Sequence, residues 1–274
     1  MKMKNVKVVL GVMVGIVVVG VIALGVIGVR LEESFQIDSI SDVAITSGNA
    51  RVEVRHASDD VIRAEATDAF PFSELIIEEN NDRLTIDLQT PWFARVQVIN
   101  VTRPALVVYL PTTVYNAVSI RTSNGSIEIS DFEIEQLNLR TSNGNIDVSD
   151  IQGNVEVQTS NGRVEASRLN GEAHQFTSSN GRLQLANIAG DITGTTRNGS
   201  IDFDNPTLEQ DLNLRTSNGS VTVALSEQPE DAQFRLRTNN GRINLFGLRN
   251  EQQTFGNGQH EVEIRTSNGR ITVG

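Results

Sequence analysis

Apolar and polar residues alternate in short runs over most of the chain after residue 30, and Asn-Gly pairs separate these runs. An alternation with a period of two is typical of β-strands that bury one face. Each copy is therefore predicted to be a strand, an Asn-Gly turn, a second strand and a short loop. The pairs begin at Asn124, Asn143, Asn161, Asn180, Asn198, Asn218, Asn240 and Asn268.

The eight copies also agree at positions around the asparagine. Threonine or serine stands two residues before it, and isoleucine, valine or leucine stands three residues after it. The position four residues before it is apolar in every copy except at Gly194. Self-similarity of this kind is the signature of a repeat architecture, in which each unit stacks on its neighbours.

Two all-β architectures fit the repeat. Asn-Gly between alternating hydrophobic residues is a strong signal for an antiparallel hairpin. Alternatively, each copy is one coil of a parallel β-solenoid, with equivalent residues stacked about 4.8 Å apart. Stacking favours the solenoid, because threonine methyl groups can then pack together and asparagine amides can bond in a ladder. We expect a right-handed β-helix in which glycine supplies the positive φ of the corner.

Residues 31–118 are less regular than the repeats at 119–274. Strands are predicted here over Phe35–Ile40, Ala50–Arg55, Val61–Ala66, Leu75–Glu79, Leu84–Leu88, Val96–Val101 and Leu106–Leu110. Thr46 to Asn49 is similar to a degenerate turn, and Trp92-Phe93 is predicted to pack over a solenoid end. The region is expected to start and cap the solenoid, since terminal repeats are usually atypical. A separate small β-domain is the alternative.

The Thr-Ser-Asn-Gly-x-Ile-x-Val pattern, with a secondary Gly-x-Val at Gly153 and Gly190, resembles a known bacterial family. This is the "putative adhesin" family of β-helical proteins, which is a domain of unknown function. Leu106 to Pro111 is also typical of it. The resemblance covers residues 35–274 and implies the fold, and the family brings no catalytic residues to carry over.

The N-terminal segment, residues 1–30, is predicted to anchor the protein in a membrane. Val8 to Val29 contains no charge, and as a helix of 22 residues it would cross a bilayer core of about 30 Å. Lys2, Lys4 and Lys7 precede it, which favours a single-pass topology with a cytoplasmic N-terminus and an extracellular or periplasmic body. A signal peptide cleaved near Ala23-Leu24-Gly25 is the rival interpretation.

Composition and charge narrow the function further. The chain has no cysteine, and its net charge of −11 argues against nucleic acid as a partner. His56, His174 and His260 have no metal-ligand spacing, and His174 falls on a strand position that faces inward. No catalytic, cofactor-binding or metal-binding residue is therefore predicted, and the protein is not expected to be an enzyme.

Two rows of charge are nevertheless predicted on the outer faces of the solenoid. Acidic side chains follow the turns, and arginines stand three residues before the asparagine. The acidic row is Glu128, Asp147, Glu165 and Asp202, and the arginine row is Arg121, Arg140, Arg215, Arg237 and Arg265. Because repetition gives no place where chemistry would be concentrated, both rows are interpreted as solvated faces.

These features together predict a membrane-anchored, non-catalytic adhesin or surface scaffold that contacts a cell-surface glycan or protein. An envelope-stress sensor with a regulatory partner is one alternative. A polysaccharide-processing β-helix enzyme is another, because many parallel β-helices act on polysaccharides.

Overall fold

The computed structural model describes residues 29–36, 40–70, 72–90 and 104–274. These residues form one sheet of twenty strands, and none of them lies in a helix. Within the same ranges, nothing helical is therefore long and apolar enough to span a membrane. The strands are β1 Val29–Gln36, β2 Asp42–Ser47, β3 Arg51–His56, β4 Val61–Ala69, β5 Glu74–Asn80, β6 Arg83–Gln89, β7 Ala105–Leu110, β8 Tyr115–Thr122, β9 Ile127–Arg140, β10 Ile146–Thr159, β11 Val164–Ser178, β12 Leu183–Thr195, β13 Ile201–Asn205, β14 Leu212–Arg215, β15 Val221–Leu225, β16 Ala232–Thr238, β17 Ile243–Leu245, β18 Gln252–Phe255, β19 His260–Thr266 and β20 Ile271–Val273.

Three predicted segments lie outside the described residues. They are the anchor helix as far as residue 28, the Trp92-Phe93 loop and the strand over Val96–Val101. Val29, the last residue of the predicted helix, is the first residue of β1. β1 ends at Gln36, so the strand predicted over Phe35–Ile40 is found only at its first two residues; residues 37–39 lie outside the described residues, and Ile40 is not in a strand.

The repeats stack as parallel coils, and this arrangement is solenoid-like. β9, β10, β11 and β12 pair in parallel, with Ile127 beside Ile146, then Val164 and Leu183. Successive copies therefore lie on top of one another, and the hairpin alternative is wrong for them. The right-handedness of the coil stays a prediction.

The coils at both ends of the stack are out of chain order. The coil of β19 and β20, which ends the chain, lies between the coil of β14 and β15 and the coil of β16 and β17. At the other end, β2 and β3 lie between the coil of β8 and β9 and the outer strands β6 and β7. The coils formed by the first and last repeats of the sequence are thus inside the stack, and strands from elsewhere in the sequence cover them.

Antiparallel strands cover part of both ends of the parallel stack. At the N-terminal end β5 pairs with β6, β4 pairs with β7, and β1 pairs with β4. At the C-terminal end β18 pairs with β16, and the rings of Phe234, Phe246 and Phe255 pack edge to face with centroids 5.6–6.0 Å apart. Such strands shield sheet edges that would otherwise pair with another chain.

The core is a continuous column of aliphatic side chains along the inside of the stack. Their positions repeat because equivalent residues stack coil on coil. Where one coil carries the large Phe176, the next carries Gly194 in register, so that volume is shared between neighbours. A second corner is formed by residues with φ of 53–69°, namely Asp131, Asp150, Arg168 and Asn187.

Candidate functional site

The most regular exposed feature is the corner at the Asn-Gly pairs, which we call the Asn-Gly edge. Nine asparagines form it, because Asn49 joins the eight of the repeats. Eight of them donate a side-chain hydrogen bond of 2.5–2.8 Å to the side-chain oxygen of the asparagine on the neighbouring coil, and Asn49, at the end of the row, only accepts one. The ladder runs unbroken from Asn49 to Asn240, with Asn268 placed before Asn240 by the inverted coil order. The predicted amide ladder is thereby confirmed.

The threonines two residues before the asparagines act through their hydroxyl groups. Thr141 Oγ1 accepts a hydrogen bond from the Gly144 backbone N–H at 3.2 Å and donates one to the Gly125 carbonyl oxygen at 3.0 Å. Equivalent bonds recur along the stack, and all of these residues except Thr238 are buried. The hydroxyl satisfies two backbone groups that would otherwise be buried without a partner, at a cost of about 1–3 kcal/mol each. The hydroxyl bonds are thus a reason for threonine or serine at this position that the prediction, which rested on methyl stacking, did not include.

The glycines of the edge are needed for a different reason from the one predicted. None of the eight has a positive φ; in this structure positive φ occurs at glycines elsewhere, such as Gly153 and Gly190. Instead, a Cβ at any of the eight would lie 1.6–1.8 Å from a carbonyl oxygen of the preceding coil. Close backbone approach, rather than φ, excludes every larger residue.

The acidic row lies on the face that follows the edge. Glu128, Asp147 and Glu165 are in register on adjacent coils, and Gln184 separates Glu165 from Asp202. Burial raises the pKa of Asp147, and the neighbouring Glu165 and Glu128 carboxylates raise it further. In the described part of the chain, no three histidine or acidic side chains come together as a possible metal site.

One cluster of polar side chains was not foreseen from the sequence. His56 Nδ1 lies 3.2 Å from Thr112 Oγ1, and the ring stacks on Phe132 with centroids 4.3 Å apart. His56 Nε2 is 3.4 Å from Asp131 Oδ2 but makes no hydrogen bond. A hydroxyl, an imidazole and a carboxylate meet here, but the imidazole is not oriented by the carboxylate as in an acyl-transfer triad. The cluster is assembled from distant parts of the chain, so no local motif reveals it.

His174 lies inside the core, with only 2% of its surface exposed. Its Nε2 lies 3.0 Å from the Ala189 carbonyl oxygen, and Nδ1 has no hydrogen-bond partner. The carbonyl oxygen can only accept, so Nε2 carries a proton. Burial lowers the pKa of His174. His174 is thus buried in the core, as its inward strand position predicted.

The family model described as Toastrack DUF4097 matches residues 40–274. The chain belongs to this family. The resemblance stated from the Thr-Ser-Asn-Gly repeats is therefore confirmed, and the Toastrack family is a domain of unknown function. No curated protein matches the chain.

Several solved structures are similar to this chain at low sequence identity. A "putative adhesin" from Bacteroides fragilis is 14% identical, with 89% of this chain and 96% of that chain covered and a TM-score of 0.47. A "putative adhesin" from Parabacteroides distasonis is 11% identical, with 90% and 98% covered and a TM-score of 0.43. A "putative lipid binding protein" from the same organism is 12% identical, with 89% and 97% covered and a TM-score of 0.43.

Proposed function

We propose that the protein is a non-catalytic surface scaffold that attaches the cell to an external partner. In this proposal Val8 to Gly28 anchors the chain in the membrane as a single-pass helix, and the solenoid-like body, which begins with β1, stands outside the cytoplasm. The observation that carries the proposal is the Asn-Gly edge, in which nine coils present the same amide and backbone arrangement in register. Nine coils at about 4.8 Å each make an edge about 40 Å long.

A regular edge of this kind suits a repetitive partner. Each coil offers nearly the same contact as its neighbours, so several weak contacts can be made at once with a chain or surface that also repeats. Simultaneous contacts raise the overall affinity by orders of magnitude without any strong single site. Cell-surface glycans and proteins with repeats have this property.

Deletion of the gene tests the proposal, with attachment of cells to a host or abiotic surface as the measurement. The deletion strain should attach less, and the full chain should restore attachment. A matched control expresses the chain with residues 1–30 replaced by a cleavable signal peptide, which should leave attachment low because the body is released. Unchanged attachment in the deletion strain would overturn the proposal. Altered envelope-stress transcription alone would favour the sensor instead.

A further inference from the structure

The Asn-Gly edge is basic, although the protein as a whole is acidic. At each ladder asparagine, the edge comprises a window of six residues, from three before the asparagine to two after it. These nine windows contain eleven arginines and no aspartate or glutamate. All 34 acidic residues of the chain lie elsewhere. Each coil of the ladder therefore contributes at least one positive charge to the edge, and the faces beside it are negative.

Ten of the eleven arginines form two rows, one on each side of the asparagine ladder, and Arg197 stands directly before its asparagine. One row stands three residues before the asparagine, where strand register places Arg121 beside Arg140, and Arg265 between Arg215 and Arg237. The second row stands two residues after the asparagine, or its equivalent. It contains Arg51, Arg163, Arg182, Arg242 and Arg270. Like charges on directly opposite residues of neighbouring strands are destabilising, so an anion bound between such arginines would stabilise the stack.

Protein carboxylates supply that compensation for only part of the edge. Arg163 pairs with Glu165 at 3.5 Å and Arg182 with Asp202 at 3.0 Å, while Arg51 pairs with Glu128. Elsewhere on the edge, fewer carboxylates pair with the arginines. Arg215 and Arg265 share the single carboxylate of Glu263.

The remaining arginines of the edge have no ion pair with any described carboxylate. Four of these arginines lie on the coils of Asn198, Asn268 and Asn240, at the C-terminal end of the stack. They are Arg197, Arg237, Arg242 and Arg270. The positive charge is therefore concentrated where the ladder ends.

We infer that the C-terminal half of the Asn-Gly edge binds a linear, phosphate-bearing polymer without bases, which lies along the stack. Guanidinium groups bind phosphate through paired hydrogen bonds. Successive coils offer them at intervals of about 4.8 Å, and the ladder bonds use only one of the two N–H groups of each asparagine amide. The inference rests on the proposed function and names the chemistry of the surface that the scaffold would bind.

The shape and composition of the edge favour such a chain over two other polyanions. A flat anionic membrane would also face the acidic flanks of the stack, which would repel it. Proteins that bind single-stranded nucleic acid combine a positively charged groove with aromatic side chains on which the bases stack. None of the nine windows contains phenylalanine, tyrosine or tryptophan.

Binding of labelled long-chain inorganic polyphosphate to the full chain in a nonionic detergent tests the inference. The test variant is Arg237→Gln with Arg242→Gln and Arg270→Gln. The matched control is Arg55→Gln with Arg63→Gln and Arg83→Gln, which makes the same charge change away from the edge. Fluorescence anisotropy over a range of salt concentrations gives the affinity, and thermal unfolding confirms that both variants fold.

The wild-type chain should bind polyphosphate, and the test variant should bind at least about tenfold more weakly at low salt. The slope of log affinity against log salt should fall by about two, because up to three phosphate contacts are lost at about 0.7 each. The control should stay within about twofold of wild type. No binding by wild type, or equal losses in both variants, would overturn the inference.

Two competing ligands complete the design. Equal or tighter binding of poly-dT would show that nucleic acid is the ligand class, and binding only to phosphatidylglycerol vesicles would show a membrane surface instead; either result overturns the inference. Cell attachment is measured separately on the test variant. Suppose that this variant loses polyphosphate binding but gene deletion leaves attachment unchanged. The proposed function would then be refuted, and the inferred ligand chemistry would stand.

Discussion

Replacing Gly162 by alanine should strongly destabilise the stack, because the site leaves no room for a methyl group. A Cβ at this position would lie 1.7 Å from the Gly144 carbonyl oxygen, whereas ordinary contact begins at 3.4 Å. The two coils must therefore separate at the corner. That movement stretches two hydrogen bonds. One joins the side-chain amides of Asn161 and Asn143 at 2.6 Å, and the other joins the Thr159 hydroxyl to the Gly144 carbonyl oxygen at 3.3 Å.

The magnitude follows from the bonds that hold this corner. Besides those two side-chain bonds, the Asn161 backbone N–H donates to the Ser142 carbonyl oxygen at 3.0 Å. Three hydrogen bonds at about 1 kcal/mol each give a loss of about 3 kcal/mol. Overpacking of a well-packed site costs a similar 1–3 kcal/mol or more. Because whole domains are stable by only about 5–15 kcal/mol, this loss is large.

Chemical unfolding followed by far-ultraviolet circular dichroism measures the effect. Gly48→Ala is the matched control, because a Cβ at Gly48 meets nothing within 4 Å. It should be neutral or stabilise by up to about 1 kcal/mol through the unfolded state. Gly162→Asn separates close approach from a requirement for positive φ, since asparagine tolerates positive φ but not the clash. The reasoning fails if Gly162→Ala and Gly48→Ala unfold at the same denaturant concentration, or if Gly162→Asn lowers the free energy of unfolding only slightly.

Three further outcomes are expected. Asn161→Asp should destabilise the stack by about 1–2 kcal/mol at neutral pH, because the carboxylate faces the Asn143 oxygen without a donor; Asn116→Asp, at an exposed position outside the ladder, should not, and equal unfolding midpoints would contradict this. Hydrogen exchange should be slower in β19 and β20 than in β18, although they end the chain, since coils cover them on both sides; fraying of β20 would argue against the inverted order. The pKa of His174 is lowered in the folded state, so the imidazole is protonated more readily in the unfolded state as the pH falls below about 6.5. The free energy of unfolding should therefore decrease below that pH. His174→Leu should remove this dependence and His260→Gln should keep it, and identical pH profiles for both variants would refute the assignment.

The sequence predicted those features that depend on the repeat itself. The period-two alternation indicated which residues are buried, and the eight equivalent asparagines indicated a ladder. The reasons at individual positions were harder to predict. Glycine after asparagine is compatible with both positive φ and close backbone approach, and only the distance between coils decides. Threonine likewise has both a methyl and a hydroxyl group, and the corner uses the hydroxyl for the backbone.

The coil order and the His56 cluster could not be predicted, for one physical reason. When the repeats are nearly identical, any coil can stack on any other with similar contacts, so the local pattern contains no information on which neighbour it takes. The linkers and the antiparallel strands decide the order, and both lie in the less regular parts of the chain. Thr112 and His56 come together only because β3 pairs with β7, a pairing between distant segments.

The inverted coils also address a weakness that regular stacks share. A coil that ends a stack in chain order would present an open parallel edge, on which another copy of the same repeat could add. Here the last repeat, formed by β19 and β20, lies at an inner position. The coil of β16 and β17 is outermost, and the segment that follows it in the chain supplies β18. This strand runs antiparallel, so its partner β16 no longer offers a parallel edge to an incoming repeat. The irregular strands β4 and β5 have the same position at the other end. The departures from the repeat are therefore concentrated where continued repetition would favour polymerisation, and the uninterrupted asparagine ladder lies between them.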